Sequence, residues 1–187
     1  KDGINRSQCH NQVLFLGAIN QMKGCYDMVD VIKRVAEVVP DIKMVVAGAG
    51  EIEQVKSKAI AEGVAEHFAF PGWVRGEQKE KLLKESDVFF LPSYTEGMPM
   101  SVLDAMGYGL PIVASNVGGI PRIVHEGENG FMREPGDTAG FAEAIIQIMT
   151  SDAMRINMGK QSMEIVKERY SLEKHIELLE NVYVLMQ

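Results

Sequence analysis

"VFFLPSYTEGMPMSVLDAMGYGLPIVAS", residues Val88–Ser115, runs from a short apolar stretch through a loop bearing Gly and Pro, into a helical segment, and through a turn to a second apolar stretch. The flanking runs, Val88–Ser93 and Pro111–Ser115, are continuously apolar and closed by Ser. Strands covered on both faces of a parallel sheet read this way. A helix between two such strands implies a right-handed βαβ crossover.

The same alternation continues in both directions. Val13–Ile19, Ile42–Gly48 and His67–Gly72 read as further buried strands, and Gly130–Glu134 as a sixth short one. Between them, Cys25–Val39 carries Met28, Val31, Ile32, Val35 and Val39 at helical spacing on one face. Glu51–Glu62 and Gly76–Glu85 are more polar helices that face solvent, and Asp137 stands as N-cap to "TAGFAEAIIQIM". Strands alternating with helices predict an α/β fold with a doubly wound, Rossmann-like parallel sheet, and residues 1–187 as a single domain. The chain then ends on two helical segments, Asp152–Arg169 and Ser171–Met186. The last either packs on its own domain or docks on a neighbouring one.

The composition narrows the function classes. In 187 residues, 46% are hydrophobic and 24% charged, the profile of a globular chain with a sizeable core. A net charge of −7 argues against a nucleic-acid partner, which selects a basic face. Two cysteines, Cys9 and Cys25, make neither a disulfide framework nor a CxxC metal pattern, and a reducing cytoplasm is the expectation. No apolar run approaches the roughly 20 residues of a membrane span, and no signal-peptide pattern opens the chain. The chain begins at Lys1, which fits processing or a piece of a longer protein.

In an open parallel sheet, ligands bind beyond the carboxyl ends of the strands. In "GAINQMKG", Gly17 permits close backbone approach and Lys23 offers a point charge before a helix, a phosphate site or a surface lysine. "AGAGEIE" begins like a dinucleotide fingerprint, but Glu53 stands where the third glycine belongs. In "FPGWVRG", Trp73 could shelter a flat ring while the Val74 backbone reads its edge; the alternative is a Trp folded onto the surface. Pro99 suits a first helical turn, leaving the amides of Met100, Ser101 and Val102 for an anion, with Glu96 just before them and Asp104 one turn deeper. Geometry alone leaves a second reading open, in which Glu96 caps the helix and Asp104 is a solvated acid. Gly118–Gly119 forms a flexible pair at the next exit, and "EGENG" at Glu126–Gly130 is a structural turn. The four histidines show no ligand spacing.

Taken together, these pieces resemble the carboxyl-terminal, donor-binding half of a GT-B glycosyltransferase of the retaining glycosyltransferase family 4. The likeness is densest over "PSYTEGMPMSVLDAMGYGLPIVASNVGGIPRIVHEGENGFM", Pro92–Met132, which keeps the family's order of PS, EG, an E-x7-E element, a Gly-Pro strand entry, GG-x-P and a GxNG turn. The resemblance implies sugar transfer from a nucleotide-diphosphate donor to an acceptor hydroxyl with retained configuration. It implies Glu96 as the catalytic acid against donor sugar and phosphate, Asp104 on the ribose and Lys23 on the diphosphate. Gly17, Gly97 and Met98 would belong to the donor site, the amides of Met100 and Ser101 would meet the phosphates, and the Trp73–Val74 backbone the base. No cofactor and no metal are implied. The acceptor, a glycan or lipid-linked sugar of surface polysaccharide synthesis, would be held by an amino-terminal domain absent from this chain. The whole protein would be cytoplasmic, with peripheral association at the inner membrane face.

Three positions depart from the family pattern. Ala18 replaces the arginine after the first strand, Asp104 replaces the second glutamate, and Arg122 follows GG-x-P where glutamate is common. They keep a second reading in view, a non-catalytic nucleotide-sugar-binding or assembly module. A dehydrogenase would need the missing glycine and an acid about 20 positions after a first-strand G-x-G. A glycosidase using Glu96 and Asp104 as its carboxyl pair would have no need for Lys23 or a phosphate-directed helix.

Overall fold

The computed structural model describes residues 8–170, with 174 and 176. The expected helix over Ser171–Met186 lies outside the described residues.

Six strands form one parallel sheet: β1 Gln12–Leu16, β2 Lys43–Ala47, β3 Phe68–Gly72, β4 Val88–Leu91, β5 Ile112–Ser115 and β6 Gly130–Arg133, in the order β3-β2-β1-β4-β5-β6. The helices are α1 Asp27–Ala36, α2 Ile52–Ala61, α3 Gly76–Glu85, α4 Met100–Gly107, α5 Thr138–Met149 and α6 Asp152–Arg169. From β1 the winding proceeds one way to β3; α3 then carries the chain back to β4, and the winding proceeds the other way to β6. Right-handed crossovers running in opposite directions place α1 and α2 on one face and α4 on the other. The sheet therefore reverses its order between β1 and β4, which is a topological switch point.

The core follows the foreseen apolar positions. Val13, Leu14, Phe15 and the whole of β4 are buried, as is the α1 stripe of Met28, Val31, Ile32 and Val35. α1 packs on α5, α4 packs on α6, and Phe90 meets Phe141 edge to face at 5.2 Å between centroids. Asp137 caps α5 by accepting the Gly140 N–H at 2.9 Å, as its position in the sequence predicts. In the GxNG turn, Asn129 is fully buried. Its Oδ1 accepts the His125 N–H and its Nδ2 donates to the Ile123 carbonyl, so this turn is structural.

Two expectations change. β3 is not a buried strand: it lies at the sheet edge with Ala69 and Pro71 exposed, and proline, which has no N–H to donate, is tolerated at an edge. The helix expected over Cys25–Val39 is shorter at both ends, because Cys25 and Tyr26 turn into it and Glu37 closes it. One polar feature of the core had no sequence signal. Asp87 and Arg155, each 1% exposed, form an ion pair at 3.4 Å, and Asp87 Oδ2 also accepts the N–H groups of His10 and Gln12. The pair ties α6 to the amino-terminal edge of the sheet.

Candidate functional site

The carboxyl ends of β1 and β4 converge through backbone contacts that leave no room for side chains. Beyond β1 the chain stays zipped to the β2 exit: the Ile19 N–H donates to the Ala49 carbonyl and the Glu51 N–H to the Ile19 carbonyl. A Cβ on Gly48 would stand 1.8 Å from the Gly17 carbonyl oxygen, and one on Gly50 would stand 2.1 Å from that of Ile19. The glycines of "AGAG" are thus accounted for by close strand-exit packing rather than by a dinucleotide.

Across the switch point, Gly24 packs on Pro92, where a Cβ would meet the Pro92 carbonyl oxygen at 2.2 Å. The Tyr94 N–H donates to the Met22 carbonyl at 2.8 Å. These contacts bring Lys23 to Glu96: Nζ lies 2.6 Å from Oε1, and the Ser93 hydroxyl donates to the same oxygen at 2.7 Å. The Glu96 side chain is only 7% exposed. Glu96 is therefore an oriented, partnered carboxylate, and it does not cap the helix that follows, which has no side-chain cap. The Gly118–Gly119 pair, expected to be flexible, is instead wedged beneath this loop. The Gly119 N–H donates to the Gly97 carbonyl at 2.7 Å, and a Cβ on Gly118 would stand 1.8 Å from the Glu96 carbonyl oxygen.

Pro99 is the N-cap of α4, one position earlier than expected. The Val102 N–H donates to the Pro99 carbonyl, so this amide is spent inside the first turn. Among the described residues the Met100 and Ser101 amides have no backbone acceptor, which leaves the positive end of the helix dipole uncapped there. They open on a cleft of about 280 Å³ lined by Leu16, Gly17, Ala47, Gly48, Trp73, Val74, Lys79, Met100, Ser101 and Asp104. The cleft spans the exits of β1, β2, β3 and β4, and Trp73 stands on its rim 70% exposed. Six residues singled out from three separate strand exits, Gly17, Trp73, Val74, Met100, Ser101 and Asp104, are brought together in it.

Lys23, Glu96, Gly97 and Met98 do not line this cleft; Glu96, Gly97 and Met98 stand on the loop that leads into α4, and Lys23 pairs with Glu96. Arg122 does not line the cleft either, and its carbonyl accepts from the Tyr170 hydroxyl. Two contributors carry no signal of a site in the sequence. In sequence Ser93 reads only as the end of a strand. Lys79, from α3, ion-pairs with Asp104 Oδ2; α3 and α4 are joined only through the crossover into β4, so no local spacing links the two residues. Two tyrosines flank the α1 entrance: the Tyr26 hydroxyl donates to Glu51 Oε2 at 2.5 Å, which pushes its pKa up to about 12. Tyr94 is raised as well, through its hydrogen bond to Asp27. Among the described residues no three His, Cys, Asp or Glu side chains converge as a metal site would require.

The family model for glycosyl transferases group 1 matches residues 3–164. The phosphatidyl-myo-inositol mannosyltransferase of Mycobacterium leprae is 32% identical over 145 residues, 76% of this chain and 38% of that protein. The chain spans about half the length of the curated relatives it matches, from 38% to 52%. In structure it is similar to Anabaena Alr3699/HepE, solved in complex with UDP-glucose, at TM-score 0.83 and 19% identity over 92% of this chain and 48% of that one. It is also similar to the C-terminal domain of LpcC, a glycosyl transferase group 1 family protein from Francisella tularensis, at TM-score 0.78 and 20% identity, covering 86% of each. With the six-stranded switch-point sheet, these matches establish that the chain belongs to the glycosyl transferases group 1 family and has a GT-B-type fold.

Proposed function

We propose that this chain is the carboxyl-terminal, donor-binding half of a retaining glycosyltransferase, and that it binds a nucleotide-diphosphate sugar across the exits of β1 and β4. The observation that carries this reading is the coincidence, at the switch point, of an uncapped helix N-terminus, an apolar cleft rimmed by Trp73, and a buried carboxylate held by a lysine. The base lies against Trp73 and the Val74 backbone, the ribose at Asp104, and the diphosphate along Gly17 and the Met100 and Ser101 amides, reached by Lys23. Glu96 takes the donor sugar and its phosphate as Lys23 turns toward the diphosphate. Gly97 and Met98 complete the loop between sugar and helix.

Transfer then needs no protein nucleophile. The bond from the anomeric carbon to the phosphate oxygen breaks as the acceptor oxygen attacks the same face. The acceptor proton passes to the departing phosphate oxygen. Lys23 and the helix amides offset the growing charge of the diphosphate, a role that fixed donors in a partly dry site perform well, and no metal is needed for it. The acceptor is a glycan or lipid-linked sugar of surface polysaccharide synthesis, held by an amino-terminal half of the complete, cytoplasmic protein.

The test is calorimetric titration of the complete protein with UDP- and GDP-sugars. One of them binds. Lys23→Ala and Asp104→Ala each weaken it at least about tenfold, the value of one hydrogen bond to a charged group. EDTA leaves the affinity unchanged. Binding of neither donor, or binding indifferent to both substitutions, refutes the assignment. Ala18, in place of a cation, keeps a non-catalytic donor-binding module as the second reading. That module would bind donor and hydrolyse or transfer none of it.

A further inference from the structure

Lys79 is the one charged residue of the cleft that the proposed function leaves without a part. It reaches from α3 to Asp104 on α4, and the two side chains are 33% and 39% exposed, so the pair stands open to the cleft it lines. Among the described residues neither side chain has another hydrogen-bond partner. An ammonium carries three N–H donors and a carboxylate two accepting oxygens. Pairing uses one of each, through Oδ2, and leaves Lys79 N–H donors beside the unoccupied Oδ1 of Asp104.

That adjacency has a specific chemical complement. A carboxylate alone can only accept, so it grips two vicinal hydroxyls solely through their protons. A donor and an acceptor side by side engage two hydroxyls in opposite senses, one through its proton and one through its oxygen. The arrangement also bears on the aspartate at position 104. Its side chain is one methylene shorter than glutamate, and the Lys79 ammonium pairs with it in the cleft that both line.

We propose that Lys79 and Asp104 together read the cis-diol of a ribonucleotide, Asp104 Oδ1 accepting from one hydroxyl and Lys79 donating to the oxygen of the other. Lys79 is then a specificity-determining residue for ribose. The inference rests on the reading of this cleft as a nucleotide-sugar site.

The experiment titrates the complete protein with UDP and with its 2′-deoxy and 3′-deoxy forms, and with the GDP series where the purine binds. The wild type disfavours both deoxy forms. Lys79→Met weakens the ribonucleotide about tenfold, the value of one charged hydrogen bond, and loses discrimination against one deoxy form. Asp104→Ala loses it against the other. Lys79→Arg, which keeps charge and donors, retains most of the preference. Lys81→Met removes the same charge from the solvent side of α3, where Lys81 pairs with Glu85, and changes nothing. The inference is overturned if Lys79→Met keeps both preferences, if both substitutions erase the same one, or if Lys79→Met binds more tightly, since Lys79 would then only compete for Asp104. In each of those cases UDP or GDP still binds and Lys23→Ala still weakens it, so the site stands. No nucleotide binding at all overturns both the site and the diol reader.

Discussion

Gly118 shows how far a single missing methyl group reaches. Its φ of +56° is left-handed, and a Cβ would collide with the Glu96 carbonyl oxygen. Gly118→Ala is therefore expected to cost about 2 kcal/mol or more through strain and displacement, and to move the one carboxylate that Lys23 holds. A thermal melt reads the first effect. The second appears as loss of donor affinity in protein that is still folded at the assay temperature. Cys25 allows a prediction about pH. Burial, with the Glu51 carboxylate adding to it, pushes its thiol from 9.0 up to about 12. The folded state thus keeps a proton that the unfolded chain sheds above pH 9, and stability falls as pH rises from there toward 12. Denaturant melts at pH 8, 9.5 and 10.5 should show this decline, and Cys25→Ala should make it shallower. A decline of equal steepness in the variant would mean that other groups cause it. Burial also makes Cys25 slow to alkylate in the folded protein at neutral pH.

At the scale of elements, what was legible in the sequence were features with a local period. Apolar runs gave five strands and the suggestion of a sixth, and the stripe of α1, the cap of α5 and the extent of α6 lie close to where spacing put them. Positions set by contacts across the chain were not legible. Whether His67–Gly72 is central or at an edge depends on strand order, and no run of five residues encodes that. Lys79 meets Asp104 only because α3 returns over the sheet to the face that carries α4. The buried Asp87–Arg155 pair joins residues 68 positions apart and looks, in sequence, like two ordinary surface charges. Removing one partner leaves a buried charge uncompensated, so Arg155→Leu should lower the unfolding free energy by about 3–5 kcal/mol. Chemical denaturation reads this directly. A loss below about 1 kcal/mol, the scale of an exposed ion pair, would show that α6 is held by its apolar contacts alone.

For the whole molecule, the candidate site is an assembly of loops. Trp73, Gly17, Met100 and Asp104 come from the exits of three strands, and only the winding of the sheet makes them neighbours. The motifs of Pro92–Met132, which carry the likeness to this family, lie on the β4 side of the site alone. The likeness left Lys79 unassigned and gave the Gly118–Gly119 pair no packing role. Among the described residues no helix is long and apolar enough to cross a membrane. The matched relatives are about twice the length of the chain, in keeping with the proposal that a second half supplies the acceptor site. Donor recognition, in contrast, is proposed to reside in these residues, and the sequence carries its own probe of that claim. Trp73 is the single tryptophan, and it stands on the cleft rim. Fluorescence of Trp73, taken as the difference between the complete protein and its Trp73→Phe variant and titrated with UDP- and GDP-sugars, should change saturably for one of them. Asp104→Ala and Lys23→Ala should each shift the midpoint to at least about tenfold higher concentration, as loss of a charged hydrogen bond requires. A Trp73 signal that stays flat while calorimetry records nucleotide binding would place the donor elsewhere and contradict the account.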